Sequence, residues 1–362
     1  MQLKQDGRRL ILIVYFQLIR NNMKTIITFL TCFLFSVSFS FSQDFDYSFL
    51  ETYKVSTPAT MNIGTSDGNI SVIPTSGNEI KVYFIARKNG RVLDISRQEL
   101  EKELTVEVNH GTNSLQINVR HELTNSWFNM NQIDVGFRIF APKDIACTLH
   151  TSDGNIKLEG LNGDQDCKTS DGNISISDIK GRTNGVTSDG NLSINGIVGD
   201  LTVRTSDGNI SIDEITGDVQ STTSDGNISL NVVSGDVQAV TSDGSIKLIS
   251  VTGTASARTS DGHIVFEDFA GSLTAITSDG NISGNITRLQ TKLTARTSGG
   301  NVDITIPDKL GLDLDIRGES INVPLINFSG RSDEKTIHGQ SNGGGISVNI
   351  EASDGNIRLA YR

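Results

Sequence analysis

The chain has 362 residues, with 31 Lys and Arg against 42 Asp and Glu, giving a formal net charge of −11. An acidic balance of this size argues against nucleic acid and anionic membranes as partners, and leaves divalent cations and neutral sugars. Cysteine is scarce, at Cys32, Cys147 and Cys167 only.

Residues 1–22, "MQLKQDGRRLILIVYFQLIRNN", read as a non-native upstream extension from a misplaced start codon. The apolar run Leu10 to Ile19 is too short to span a bilayer. Residues 23–42 follow the order of a secretory signal peptide: Lys24, an apolar core, then small residues, with cleavage expected after Ser42. A membrane anchor made of both apolar runs is the competing reading. Cys32 lies inside the apolar core and follows Thr31, a poor context for lipidation. Loss of residues 1–42 removes Lys4, Arg8, Arg9, Arg20, Lys24 and Asp6, which moves the net charge from −11 to −15. The expected location is the periplasm, the outer-membrane surface or the extracellular space.

Residues 43–150 carry strand-like stretches, "EIKVYFIARK", "LTVEV", "LQINVR" and "VGFRIF", with a helical turn or two over Ser96 to Leu104. They read as an irregular N-terminal β cap that also holds the single Trp127. Residues 151–298 are periodic. The Thr that opens "TSDGN" recurs at Thr151, Thr169, Thr187, Thr205, Thr223, Thr241, Thr259 and Thr277, always 18 residues apart. Thr297 follows after 20, and Thr65 and Ser353 begin outlying copies. Counted from the Thr, positions 6 and 8 are apolar (Ile156 and Leu158, Ile174 and Ile176, and so on), and 5, 7 and 9 are mostly polar, the period of a strand with one buried face. Position 11 is apolar, and position 17 is mostly small or apolar. Residues 299–362, with "TSGGNVDITIP" and "GGGISVNIEASDGNIRLAYR", read as capping coils.

A unit of 18 residues has no core of its own and buries its apolar face only by stacking on copies of itself. The expected fold is all-β: a single-stranded parallel β-solenoid (β-helix) with 18-residue coils and irregular β caps at both ends. An array of antiparallel hairpins would let loop lengths drift, and the constant step disfavours it.

Stacking turns each motif position into a column. Gly154, Gly172, Gly190, Gly208, Gly226, Gly244, Gly262 and Gly280 are expected as structural turns that supply φ > 0. Asp153, Asp171, Asp189, Asp207, Asp225, Asp243, Asp261 and Asp279 would each cap the turn by accepting an amide two residues on. Their column is also the candidate Ca²⁺ ladder, since like charges one coil apart need an offset. No other cofactor is expected. Asn155, Asn173, Asn191, Asn209 and Asn227 would form an amide ladder, and the mostly Ser position 7 a flat hydroxyl-rich face. Cys147 and Cys167 share inward parity at a diagonal offset beyond disulfide reach, which predicts two buried thiols. The histidines, His110, His121, His150, His263 and His338, show no metal-ligand spacing, and no nucleophile motif occurs.

With "TSDGNI" at an 18-residue period, a signal peptide and the closing "GGGISVNIEASDGNIRL", residues 50–362 resemble a bacterial family of candidate adhesins, exported β-solenoid proteins of unknown function common in Bacteroidetes. The resemblance implies a non-catalytic structural or adhesive module of the cell envelope. Its partner would be a glycan or a cell-surface protein along a flat polar face, with no nucleic acid and no small-molecule cofactor. The alternative is a carbohydrate-active β-helix enzyme of lyase or hydrolase type.

Overall fold

Alternation of apolar and polar residues decides the elements, and the period of 18 decides their pairing. The computed structural model describes residues 45–121 and 133–362, with one folded unit from Tyr47 to Arg362. The expected upstream extension, the signal peptide, Cys32 and Trp127 lie outside the described residues.

Among the described residues the folded unit is all-β apart from one helical turn. Its first strands are β1 (Phe49–Lys54), β2 (Ala59–Gly64), β3 (Ile70–Thr75), β4 (Glu79–Lys88), β5 (Arg91–Val92), β6 (Leu104–His110), β7 (Ser114–His121), β8 (Asp134–Pro142) and β9 (Ile145–His150). The turn α1 (Arg97–Leu100) lies inside the stretch expected to be helical. Ser96 caps it and Glu99 reaches back to the cap amide, a capping box that fixes where it starts.

From Ile156 onward each coil contributes strand residues from position 6, to position 9 in Ile156–Glu159 and to position 12 in Ile174–Lys180, and again at positions 15 to 18, as in Thr183–Val186. Each pairs in parallel with its equivalent 18 residues on. Ile156 faces Ile174, then Leu192, Ile210, Ile228, Ile246, Ile264 and Ile282. Positions 6, 8, 11, 15 and 17 point inward. Ile210, Ile212, Ile215, Val219 and Ser221 are all buried within one coil. Each fully buried Ile or Val contributes about 1.5–3 kcal/mol, so the apolar columns supply most of the cohesion between coils.

The copy at Thr65, which reads as an outlier along the chain, is in register in space. Ile70 faces Ile156 in a parallel ladder, across a separation of 86 residues at the neighbouring Asn69–Asn155 contact. The copy at Ser353 behaves alike: Ile357 faces Val302, and Asn356 meets Asn301 across 55 residues. The period is interrupted in sequence because the chain leaves the stack at each end and returns to it. At the N-terminal end β2, the Thr65 corner and β3 are laid down first. The chain then builds β4 to β8 and comes back as β9, parallel to β2. At the other end the excursion Leu312–Ser341 separates Val302–Ile306 from Ile346–Tyr361.

Both excursions serve as lids. β7 and β8 lie parallel against β2 and β3. Outside them β6 pairs antiparallel with β7, β4 with β8, and β1 with β4. Phe49 stacks on Phe84, which meets Phe137 edge to face, through this layer. At the far end Leu312–Asn322 continues the parallel stack, and Thr336–Ser341 and Phe328–Ser332 close it antiparallel. The sheet as a whole is therefore mixed: parallel along the stacked coils and where β7, β8 and Leu312–Asn322 join them, antiparallel outside. Cys147 and Cys167 are buried free thiols; Cys147 faces Gln165 while Cys167 faces Leu149. Burial pushes the Cys147 thiol up to about 12.

A second bend in each coil carries the backbone strain. Position 10 is left-handed in seven successive coils, at Gly160, Asp178, Gly196, Glu214, Val232, Ser250 and Asp268. Val232 has φ of 52° and is 49% exposed. A β-branched residue in this region is disfavoured by about 1–2 kcal/mol with no packing in return. Val232→Asn is therefore expected to raise stability by about 1 kcal/mol in denaturant titration; an unchanged or lower midpoint would contradict the assigned strain.

Candidate binding surface

The repeated corner faces solvent along one side of the stack, and its residues divide into those that hold coil to coil and those left free. The corner glycines do not occupy the left-handed region. The expectation that they supply positive φ is corrected by a different constraint. A Cβ on Gly208 would lie 1.9 Å from the carbonyl oxygen of Gly190, and the same holds at Gly172, Gly190, Gly226, Gly244, Gly262 and Gly280, with 2.0 Å at Gly154. The neighbouring coil's backbone occupies the space a side chain would need.

The capping group is also not the one the motif leads one to expect. The amides of Ser188 and Asp189 both donate to Ser170 O in the coil before, at 2.8 and 3.0 Å, and this pair repeats along the column. The Asp carboxylates are left pointing outward, exposed in all eight copies. Thr does the capping. Thr205 Oγ1 donates to Ser188 O and Gly190 O, at 2.9 and 3.0 Å, and accepts the amide of Gly208 at 3.2 Å. Every Thr from Thr151 to Thr277 repeats the set and is buried, because its hydroxyl serves two coils at once.

Position 5 forms the expected ladder. Asn173 donates its backbone amide to Asn155 Oδ1 at 2.8 Å and its side-chain amide to the same oxygen at 3.1 Å. The column runs from Asn69 through Asn227 and then continues through other acceptors. Ser245 donates its amide to Asn227 Oδ1, His263 to Ser245 Oγ, and Asn281 to His263 Nδ1. What the position requires is an acceptor reaching the next coil's amide. Beside it runs the position 7 row of Lys157, Ser175, Ser193, Ser211 and Ser229, in register and largely exposed.

A second ladder, which sequence reasoning missed, lies across the coil at position 14. Asp218 donates its amide to Asp200 Oδ1, Asp236 to Asp218 Oδ1, and Thr254 to Asp236 Oδ1. Arg182 donates both its amide and its guanidinium to Asp164. The recurring "GD" at Gly199, Gly217 and Gly235 was its sequence signal.

The Asp column at position 3 does not fit Ca²⁺. The ion takes about six to eight oxygens. Each coil offers one carboxylate, while the neighbouring carbonyls of Ser and Gly already accept from Thr, Ser and Asp of the next coil. The mutual repulsion appears instead at the crowded end. Burial, and then the charges of Asp67, Asp171 and Asp134, hold the Asp153 carboxyl above its ordinary range. His121 Nε2 lies 3.2 Å from Asp67 Oδ2 in the same cluster. Among the described residues no three His, Cys, Asp or Glu side chains converge on a point where a metal would sit.

A family model described as Toastrack DUF4097 matches residues 59–257 and 198–360. The solved structure of a candidate cell adhesion protein from Clostridium sporogenes ATCC 15579 aligns at 11% identity over 87% of this chain and 99% of that one, with a TM-score of 0.19. The solved structure of a candidate adhesin from Bacteroides fragilis NCTC 9343 aligns at 16% identity over 71% of this chain and 96% of that one, with a TM-score of 0.35. Superpositions this loose transfer no site. No curated protein matches the chain significantly.

The corner analysis makes Thr the coil-to-coil clamp. Thr205→Val keeps the shape and removes the hydroxyl, which strands the Gly208 amide. A loss of about 1–3 kcal/mol is expected in thermal or denaturant unfolding, whereas a loss below a few tenths would show that the hydroxyl contributes nothing.

Proposed function

This chain belongs to the Toastrack DUF4097 family, and we propose that it is an exported cell-envelope module that works by binding rather than by catalysis. In this reading the chain is one single-stranded parallel solenoid with 18-residue coils, presented in the periplasm or at the cell surface. It adheres to a glycan or a protein along a flat polar side.

The observation that carries the proposal is the pairing of a filled interior with in-register polar rows outside. The inward positions are chiefly Ile, Leu, Val and Ala, with Phe266, Phe269, Cys167 and Ser221 among them, and they fill the interior of the described coils. Outside, position 5 and position 7 repeat Asn and Ser at one coil spacing, about 4.8 Å. Such rows present the same hydrogen-bonding groups again and again, which suits a polymeric partner. Three of the histidines are committed to structural contacts: His110 Nε2 to Lys54 O, His121 to Asp67, and His263 to Asn281. The titratable groups of the repeats are chiefly carboxylates of one sign, without the paired environments that separate an acid from a base.

The competing reading, a carbohydrate-active enzyme on a β-helix, is tested together with the first. Purified protein is applied to a glycan array and incubated with the polysaccharides that bind, with release of reducing ends followed over time. Retention of one or more glycans with no new reducing ends is expected. Steady release of reducing ends would overturn the non-catalytic reading.

A further inference from the structure

We infer that the groove on the position 14 to 16 side of the stack, beside the β6–β7 hairpin, is a binding site for an oligosaccharide free of acidic groups. The inference rests on the proposed binding role but moves it to the side of the coil opposite the serine row, and it names the ligand class.

The groove encloses about 860 Å³, within the range of pockets that hold small ligands, about 300–1,000 Å³. The hairpin residues Val108 to Gly111 line it together with β7, β2, β9 and the strands at Gln165 and Thr183. Its lining is amphipathic. Val108 offers apolar surface over the buried Met61 and Leu115, and Asn62, Asn109, Gln116, Thr148 and Asn184 offer amides and a hydroxyl. A sugar has the matching pair of surfaces, C–H faces for the first and hydroxyls for the second.

The polar groups are held before any ligand arrives. Asn184 Nδ2 donates to Asp166 Oδ1 at 2.7 Å, which leaves the Asn184 carbonyl and the second Asp166 oxygen as fixed acceptors. Arg182, the one Lys or Arg in the lining, is bound to Asp164 through both its guanidinium and its backbone amide. No other Lys or Arg lines the groove to neutralise a uronate, sulfate or phosphate, while Asp164 and Asp166 repel one. Carboxylates accept hydrogen bonds from hydroxyls, so the same groups that exclude acidic sugars hold neutral ones.

The track extends along the axis. A second groove of about 440 Å³ runs past Thr202, Gln220, Gln238 and Ser256 on the same side. Asp200, Asp218 and Asp236 line it, each with one oxygen fixed by the next coil's amide. No Lys or Arg lines this stretch either, and no large aromatic or Arg anchor of the kind that dominates protein interfaces is present. The ligand is therefore a linear chain several sugars long.

The test measures binding of cellohexaose, laminarihexaose, xylohexaose and hexagalacturonate by calorimetry. The wild-type protein is compared with Asn184→Ala, Asn109→Ala and, on the opposite side, Ser193→Lys with Ser211→Lys. Unfolding midpoints of every variant serve as the check on folding. Binding of at least one neutral hexasaccharide, weakened tenfold or more by the groove substitutions at unchanged midpoints and insensitive to the serine-row pair, is expected. Tighter binding of hexagalacturonate, or no binding of any neutral hexasaccharide, overturns the inference. Neutral binding abolished only by the serine-row pair also overturns it, while leaving the proposed polar-side binding role in place.

Discussion

One coil lies so close upon the next that the fourth residue of each corner can carry no side chain. The parallel ladder sets the separation at about 4.8 Å, and at the corner the backbone turns so that a Cβ would point along the axis into the preceding carbonyl, 1.9 Å away at Gly208. The rest of the motif follows from that contact. Ser and Asp lend their amides to one carbonyl of the coil before, Thr donates its hydroxyl to that carbonyl and to the glycine carbonyl beside it, and Asn carries the contact outward through its side chain. "TSDGN" is thus a joint between layers, and a regular stack needs it once per layer.

Such a joint tolerates no slip, so length variation is displaced to the ends. There the chain interrupts a coil halfway, builds an antiparallel layer, and returns to finish the coil. The two excursions are unrelated in length and in sequence, yet both end the parallel ladder with strands running the other way. An exposed parallel edge would recruit further chains, and the lids remove it at both ends. What the fold leaves open to partners is its long sides. These carry polar columns because most outward positions are polar, Val198 and Val232 being exposed exceptions, while the inward ones fill a narrow core.

Much of this was legible in the sequence. A strand's alternation is strict, so Ile174 and Ile176 announced their burial, and a constant step of 18 announced which residues would lie on which. The Asn ladder followed from the same arithmetic. The reasons behind individual residues were less legible. Gly and Asp are common turn formers for local reasons, and nothing in "SDG" distinguishes a local turn from a contact with another layer. The strained position 10 was hidden because Asp178, Glu214 and Val232 stand where a glycine would have marked it. The copies at Thr65 and Ser353 looked stray because the excursions of the lids lie between them and their partners. The groove depends on where the β6–β7 hairpin sits against the stack, and no spacing within 104–121 encodes that.

The account stands on equivalent residues of successive coils lying side by side. Cross-linking of paired cysteines reads this directly. Gln220 and Gln238 face one another in neighbouring parallel strands, at the strand separation of about 4.8 Å, inside disulfide reach. Ser256 lies one coil further. Oxidation of a Gln220→Cys, Gln238→Cys protein is expected to form an intramolecular disulfide in high yield, and a Gln220→Cys, Ser256→Cys protein to form none. Efficient closure of the second pair but not the first would contradict the stacking register and everything built on it.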